Sequence, residues 1–288
     1  MDILDLRTVN AVAEAGSVTA AAERLGCVPS AVTARLRGLE ARLGQPLFVR
    51  LPRGMSPTPA GKLLRDYAVR AVALMDEAAR AMEPGAEPRG VLRIGATDTS
   101  ATIHLPPVFA SYHDAYPDVS LQVTSLVTSE LVQDVLRGRL DCAIVNTMPS
   151  DPALVCDRVR TERLVLATAR AYADPFERSP ATFLAARAGG AQRARIEAWW
   201  REAGGPPMTV IELPSIGLRL SFAAAGIGVT ALPVSALDVL GVSGNLRLHP
   251  IPEPWCDQEI AFVARAEGAR FSALAAFRKM LLRAYGGG

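Results

Sequence analysis

The chain has 288 residues, half of them hydrophobic and 21% charged, with a formal net charge of +2. That length suits two or three domains and cores that need no disulfide or metal staple. So small a net charge excludes a polybasic nucleic-acid coat and confines any DNA contact to a local patch. Lys62 and Lys279 are the only lysines, which reads as the codon bias of a GC-rich genome before it reads as phosphate chemistry. The cysteines at 27, 142, 156 and 256 form no C-x-x-C pair, so zinc and thioredoxin-like chemistry lack support. The segment MDILDLRTVNAVAEAG has neither the basic nor the apolar region of a secretory signal. No run of about 18 apolar residues occurs. The expectation is a reduced, cytoplasmic protein without metal, cofactor or membrane partner.

Leu4, Leu6, Val9, Val12 and Ala13 fall near helical spacing up to Gly16. Ser17 is a candidate cap for a short alanine-rich helix, Val18–Leu25, closed by Gly26. Pro29 fits the first turn of the next helix, which runs to Leu43 with Val32, Leu36, Leu39 and Leu43 on one face. Cys27, in the turn between the two, reads as a small buried residue. Leu47–Val49, the Pro52-Arg53-Gly54 turn and Met55–Ser56 have the form of a β-wing. Thr58 and Pro59 then open a helix reaching about Met82. Its long stripe of Leu63, Leu64, Tyr67, Ala71, Leu74, Met75 and Ala78 predicts a partner along its side.

The stretch EPGAEPRG, 83–90, is a linker. Beyond it VLRIGAT reads as a buried strand and TSATIHLPPVFASYHDAYP as a helix interrupted near Pro106-Pro107. VSLQVTS follows as a strand, SELVQDVLRGRL as a helix and DCAIVNT as a strand. That alternation implies a parallel sheet. RLVLATA, 163–169, begins a second such unit. ATFLAARA and RARIEAWWREAG read as short helices, with one of Trp199 and Trp200 buried and the other partly exposed. MTVIEL reads as a strand, SIGLRLSFAAAG as a helix, IGVTALPVSAL, LRLHPI and EIAFVAR as strands, and SALAAFRKMLLRAY as a closing amphipathic helix.

Two short helices with a three-residue turn have helix-turn-helix spacing. The second would place Ser30 and Thr33 near bases or phosphates, with Arg35 and Arg37 a turn further on. Ser17 and Thr19, at the start of the first helix, are further DNA-contact candidates, and Arg50 and Arg53 of the wing can follow flanking phosphates. A generic three-helix domain with a solvated basic face fits the same spacing. Carboxyl ends of strands that lead into helix N-termini are the ligand positions of α/β sheets. They carry Asp98, Thr99 and Ser100; Thr128 and Ser129; Asn146; Gln192; and Ser215. Their hydroxyls and the free amides there suit a small polar anion, while helix capping accounts for each one singly. Asp98 could instead cap its own helix or read an ammonium group. Lone His104 and His113 read as core or surface residues.

The stretch from AGSVTAAAERLGC to MSPTPAG resembles the N-terminal signature of LysR-type transcriptional regulators. The matching pieces are Ser17–Thr19–Ala20–Ala21–Ala22, Leu25, Ser30–Ala31–Val32, Leu39–Glu40, Leu43–Gly44, Leu47–Phe48, Arg50 and Thr58–Ala60–Gly61. The later order of elements fits the same family, and the Val32–Arg35 run is most similar to its glutamate-synthesis-regulator-like branch. The family often has a glutamine where this chain has Pro29 and a polar residue where it has Val28. Base reading and capping at those two positions must therefore come from elsewhere. The resemblance implies an α/β chain: a winged helix-turn-helix over 1–58, a linker and dimerisation helix over 59–83, and a hinge over 84–90. An effector-binding domain over 91–288 would follow, two-lobed and periplasmic-binding-protein-like, with lobe I at 91–161 and 266–288 and lobe II at 162–265. The function implied is effector-switched, sequence-specific DNA binding by a homodimer or homotetramer. The effector would be a small polar acid or amino acid between the lobes. The alternative is a cytoplasmic small-molecule binding protein without regulatory DNA binding. Against an enzyme, the chain has no G-x-S-x-G, H-E-x-x-H, P-loop or well-placed G-x-G-x-x-G, so no catalytic residue is expected.

Overall fold

The computed structural model describes residues 1–52, 54–81, 87–177, 180–241, 244–268 and 272–285. The chain divides into two compact units, Met1–Ala86 and Glu87–Gly288.

In the first unit, α1 (Ile3–Ala15) opens on a capping box. The Asp2 side chain accepts from Asp5 N–H at 2.8 Å, and the Asp5 side chain accepts from Asp2 N–H at 3.0 Å. Helix α2 (Val18–Arg24) is capped by Ser17 Oγ, which accepts from Ala20 N–H. Helix α3 (Pro29–Leu43) carries Pro29 in its first turn and stops at Gly44 in the left-handed region. Strands β1 (Phe48–Leu51) and β2 (Gly54–Pro57) pair antiparallel as the wing. Val9, Val12, Val32, Leu36, Leu39 and Leu47 form the core, against which Leu64 of α4 (Pro59–Ala81) packs. One side of α4 lies along α1, with Ala68 fully buried and Arg7 Nη2 2.6 Å from Asp76 Oδ1. The other side leaves Leu63, Tyr67, Leu74 and Met75 exposed.

The second unit begins with β3 (Gly90–Ala96), α5 (Asp98–Ile103), α6 (Leu105–Ala115), β4 (Val119–Ser125), α7 (Thr128–Leu136) and β5 (Cys142–Val145). The three strands run parallel in the order β4-β3-β5. Next comes β6 (Leu154–Ala169), a single strand of 16 residues. It is followed by β7 (Ala181–Ala185), α8 (Ala191–Glu202), β8 (Met208–Glu212), α9 (Ile216–Ala224) and β9 (Thr230–Pro233). Then come α10 (Ser235–Leu240), β10 (Leu246–Pro250), β11 (Asp257–Arg265) and α11 (Ser272–Tyr285). Strand β6 serves two sheets. Leu154–Arg163 pairs antiparallel with β11, which itself pairs antiparallel with β5. Leu164–Ala169 pairs antiparallel with β9 and β10. Strands β7 and β8 are parallel, and Phe183 bridges to Val229 in parallel sense. Each half therefore has parallel strands with helical crossovers, continued by antiparallel strands.

The first half buries Leu92, Ile94, Ile144 and Phe262 with Phe277 of α11, whose ring stacks edge-on with Phe109 and Tyr112. The second buries Phe183, Ile196, Trp199 and Trp200.

Four sequence expectations change. Residues 181–185 are a strand, not a helix: the segment is alanine-rich, but it is buried on both faces beside β8, as a parallel strand is. The strand expected to start at 163 starts at 154, where charged residues disguise its pattern. The chain returns to the first half at Asp257 rather than at 266, because β11 pairs with β5. Both Trp199 and Trp200 are buried. The stretches 83–86 and 286–288 of the expected hinge and lobe I lie at least partly outside the described residues.

His249, buried on β10, has Nε2 2.8 Å from Thr168 Oγ1. Burial pulls its pKa below the ordinary 6.5, with Asp174 opposing and Arg247 assisting. The unfolded chain thus takes up this proton at a higher pH than the folded one. The stability tied to neutral His249 is complete above about pH 6.5 and is lost as pH falls toward the folded value. Melting curves from about pH 7.5 to about pH 5 should show a steeper loss of Tm in the native chain than in His249→Gln. Parallel curves would contradict this.

Candidate functional site

In the first unit, α2 and α3 meet through the turn Leu25–Val28. Cys27, expected to be buried, is exposed there: the turn projects outward and the core contacts come from Ala21, Ala22 and Val32. Val28 is the N-cap of α3 without a side-chain cap bond. Ser30, Ala31, Ala34 and Arg37 are exposed on the outer side of α3 and Thr33 is half-buried. Ser17 spends its hydroxyl on capping, Thr19 is exposed on α2, and Arg50 is exposed on β1. Arg53 lies outside the described residues.

Arg35 is not free at the protein surface. Its Nη1 is 3.2 Å from Asp2 Oδ1 and 3.2 Å from Asp5 Oδ1, and Arg42 Nη2 is 2.5 Å from Asp5 Oδ2. Asp5 is buried, so α1 anchors these arginines on α3. The hydrogen bond from Asp5 N–H holds the Asp2 carboxyl below its usual range, against desolvation and with help from Arg35. At the far end of α3, Glu40 Oε1 accepts from Leu47 N–H at 2.7 Å and Phe48 N–H at 3.2 Å. That ties the wing to the helix. Glu40→Ala leaves the Leu47 and Phe48 amides at the start of the wing without their partner and should cost the first unit about 2–3 kcal/mol. Urea titration of the full chain would measure it; a loss below about 0.5 kcal/mol would show that the wing is held otherwise.

In the second unit, a cavity of about 340 Å³ opens between the two halves. From the first half come Thr97, Asp98 and Thr99, Leu126–Thr128 and Asn146. From the second come Phe183, Ala185–Arg187, Gly190–Arg193, Pro214, Ser215 and Arg219. The N-termini of α5, α7, α8 and α9 all reach its wall. Those of α7 and α8 start at Val127 and Gly190 with no side-chain cap, so their first amides lack an internal acceptor. Six of the residues singled out from sequence are brought together here: Asp98, Thr99, Thr128, Asn146, Gln192 and Ser215. Two are not. Ser100 is fully buried, bonded to Thr97 and to Asn146 Oδ1 at 3.2 Å. Ser129 is exposed and packs beside Gly189, where a Cβ would strike its Oγ.

Arg219 is the residue that sequence reasoning missed. It is 3% exposed. Its Nη2 donates to Thr99 Oγ1 at 3.4 Å and lies 3.9 Å from Asp98 Oδ2; its Nε finds no partner among the described residues. Burial lowers its pKa, with Asp98 opposing. Thr128 Oγ1 and Gln192 Nε2 are likewise buried without partners among the described residues. The signal was available: Arg219 is the one charged side chain in the apolar helix IGLRLSFAA, four residues after Ser215. Arg193 differs. It binds Glu197 at 2.7 Å and Glu212 at 2.6 Å, and the Glu197 bond leads in raising its pKa. Across the cavity mouth Arg187 meets Glu130 of α7 at 2.5 Å.

Where β6 passes from one sheet to the other, Glu162 is buried with His104. His104 Nε2 lies 3.2 Å from Glu162 Oε2, and Ser235 Oγ donates to Oε1 at 2.5 Å. Burial raises the Glu162 pKa, but the His104 bond and charge, the Ser235 bond and Arg160 outweigh it, so the carboxyl sits below its ordinary range. Among the described residues no helix is long and apolar enough to cross a membrane, and no His, Cys, Asp or Glu group is placed to hold a metal.

A winged helix-turn-helix joined to a two-lobed α/β unit with an inter-lobe cavity defines a class of ligand-responsive DNA-binding proteins. The comparisons agree. Residues 3–62 match the family profile described as bacterial regulatory helix-turn-helix protein, lysR family, and residues 85–286 match the LysR substrate binding domain. The chain is 36% identical over 277 residues to the uncharacterized HTH-type transcriptional regulator YusT of Bacillus subtilis, covering 96% of this chain and 94% of that one. It is 32% identical over 281 residues to the HTH-type transcriptional regulator CzcR of Bacillus anthracis, covering 98% and 97%. Among solved structures, a full-length OxyR variant from Pseudomonas aeruginosa superposes with TM-score 0.72 at 20% identity, covering 99% of this chain and 94% of that one. Full-length CbnR in complex with its target DNA gives 0.67 at 24%, covering 98% and 99%. The chain belongs to the LysR family and is a DNA-binding transcriptional regulator with an effector-binding domain. The relatives are regulators rather than enzymes, as the sequence led us to expect.

Proposed function

We propose that this regulator binds promoter DNA through the start of α3 and the wing, and is switched by a small acid or amino acid held in the cavity of its second unit. Asp98, Thr99, Thr128, Asn146, Gln192, Ser215 and Arg219 surround that molecule. The observation that carries the effector reading is the set of buried polar atoms around one cavity that have no partner among the described residues: Thr128 Oγ1 from the first half, and Arg219 Nε and Gln192 Nε2 from the second. Unsatisfied polar groups are costly, and a polar ligand relieves all three at once. The two halves are joined through β6 and β11, so a ligand that contacts both favours one arrangement of the halves over another. That shift changes the spacing of the DNA contacts and thereby transcription.

On the DNA side, Ser30, Thr33 and Arg37 read the major groove and Thr19, Arg50 and Arg53 hold phosphates. Arg35, paired with Asp2 and Asp5, approaches the backbone from a fixed position, and Ser17 sets the start of α2. The exposed Leu63, Tyr67, Leu74 and Met75 of α4 form the contact with a second copy, giving a dimer or a tetramer.

Mobility shifts with fragments flanking the gene should show binding that weakens steeply with salt. Ser30→Ala and Thr33→Ala should weaken specific binding more than non-specific binding, and Arg50→Ala should weaken both. Absence of binding to every genomic fragment at moderate salt would sink the proposal. Leu74→Glu combined with Tyr67→Glu should reduce the particle mass seen by light scattering to that of a monomer. An unchanged mass would move the self-contact away from α4.

A further inference from the structure

Resting on the reading of this cavity as the effector site, we propose that it selects a carboxylate without a neighbouring ammonium group, that Arg219 receives the carboxylate, and that Asp98 is a tethered competitor for the same place.

Arg219 carries five N–H donors. Among the described residues it makes one long bond, to Thr99 Oγ1 at 3.4 Å, and the nearest carboxylate, Asp98, is at 3.9 Å, beyond hydrogen-bond reach. The side chain is buried and Nε is unpartnered among the described residues. A buried guanidinium in that condition lacks the compensation that normally offsets its desolvation. Arg193, on the same cavity wall, has that compensation in Glu197 and Glu212. The difference marks Arg219 as the cation kept open for an added anion.

Asp98 shows where that anion goes. It projects from the first half of the unit, and its Oδ2 accepts from Ile216 N–H at 2.6 Å, the first amide of the nine-residue helix α9 in the second half. Helix N-termini favour a carboxylate at this point, and Asp98 already supplies one. An entering carboxylate that reaches the open edge of Arg219 comes close to Asp98 and is repelled by it. Asp98 is also the only acidic side chain in the cavity wall among the described residues. Asp98 Oδ2 already accepts from Ile216 N–H and lies 3.9 Å from the Arg219 guanidinium, so an ammonium group brought to that carboxylate also meets the positive charge of Arg219, while the other acceptors of the wall, such as Thr128 Oγ1 and Asn146 Oδ1, are uncharged. The wall therefore favours a simple acid over an amino acid. Asp98 also joins the two halves when no acid is bound, so its displacement changes the contact between them.

The test uses the full-length chain and three probes of one carbon skeleton: hexanoate, hexanamide and 2-aminohexanoate, titrated by calorimetry. Hexanoate should bind more tightly than the other two. Asp98→Asn keeps an acceptor for Ile216 N–H but removes the charge, so it should bind hexanoate about tenfold more tightly while leaving hexanamide unchanged. Arg219→Gln should lose hexanoate binding. Because that variant can also lose stability, Arg219→Lys is measured beside it and should retain weakened binding that Asp98→Asn again strengthens. Equal or weaker hexanoate binding by Asp98→Asn overturns the proposal, as does hexanoate binding to neither chain. Preferential binding of 2-aminohexanoate that Asp98→Asn abolishes also overturns it, and assigns Asp98 to the ammonium. If hexanamide or 2-aminohexanoate binds and Thr128→Val weakens it, the cavity remains the effector site and only the head-group assignment falls.

Discussion

The second unit depends on one constraint: a single strand, β6, belongs to two sheets. Its first ten residues complete the sheet of the first half and its last six complete the sheet of the second. The strand of 16 residues runs on from one sheet into the other, with a bulge at Val159 opposite Ile260–Ala261 that lets it turn between them, so the placement of one sheet fixes that of the other. The carboxyl ends of β3, β4 and β5 face those of β7 and β8 across one gap. The helices that follow these strands begin at that gap, which is why four helix N-termini share one cavity. The position of the site follows from the strand crossing, and its chemistry follows from which residues begin those helices. The buried His104–Glu162–Ser235 set lies at the crossing itself and brings α5, β6 and α10 together. Any change in the angle between the halves must keep that set intact or leave the buried Glu162 carboxylate without its hydrogen-bond partners, a costly outcome.

Two arginines of the cavity wall, half-buried Arg193 and buried Arg219, separate polar groups that are satisfied within the fold from those left open. Arg193 and Arg219 both line the cavity, and both sit within a turn or so of a helix start. Arg193 is surrounded by acceptors: Glu197, Glu212 and the Ala186 carbonyl. Removing it would orphan two carboxylates and loosen α8 from β8. Arg219 has acceptors at long range only. The Thr97–Ser100–Asn146 set resembles Arg193 in this respect, since its hydroxyls and amide oxygen satisfy one another. Residue type alone does not separate the two groups; the count of satisfied bonds does.

The architecture was largely legible in the sequence because each element carries its own punctuation. Ser17, Pro29 and Gly44 bound their helices as capping physics requires, and Thr58 Oγ1 accepts from Gly61 N–H at the start of α4. What was not legible depends on partners distant along the chain. Ala181–Ala185 reads as helical by composition and becomes a strand because β8 and Val229 flank it. The first ten residues of β6 look too charged for a strand until β11 pairs with them. The same holds for function. Six of the eight effector candidates come to the cavity, because strand-to-helix junctions fix their position locally. Ser100 and Ser129 follow the same local rule, yet one turns into a buried network and the other faces Gly189, and only the tertiary fold decides that. Arg35 was singled out as a DNA contact reaching bases or backbone, and Asp2 and Asp5, some thirty positions earlier, hold its guanidinium.

That last pairing explains how a chain with a net charge of only +2 can present a DNA-binding face. Long-range attraction from the whole molecule is small, so the outer side of α3 must be shaped rather than merely charged. Asp5 is buried between Arg35 and Arg42, whose charges it partly neutralises while fixing their stems. The residues left exposed at the start of α3 are mostly small: Ser30, Ala31 and Ala34, behind Val28 and Pro29. Small side chains allow the helix backbone to come close to base edges, where a ring of mobile arginines would keep it away and bind any phosphate. With α3 as the proposed DNA-contacting helix, the acidic end of α1 would belong to the recognition surface although no acid in it can attract DNA: it would withdraw Arg35 and Arg42 from unspecific attraction and leave the helix start to shape and hydrogen bonding.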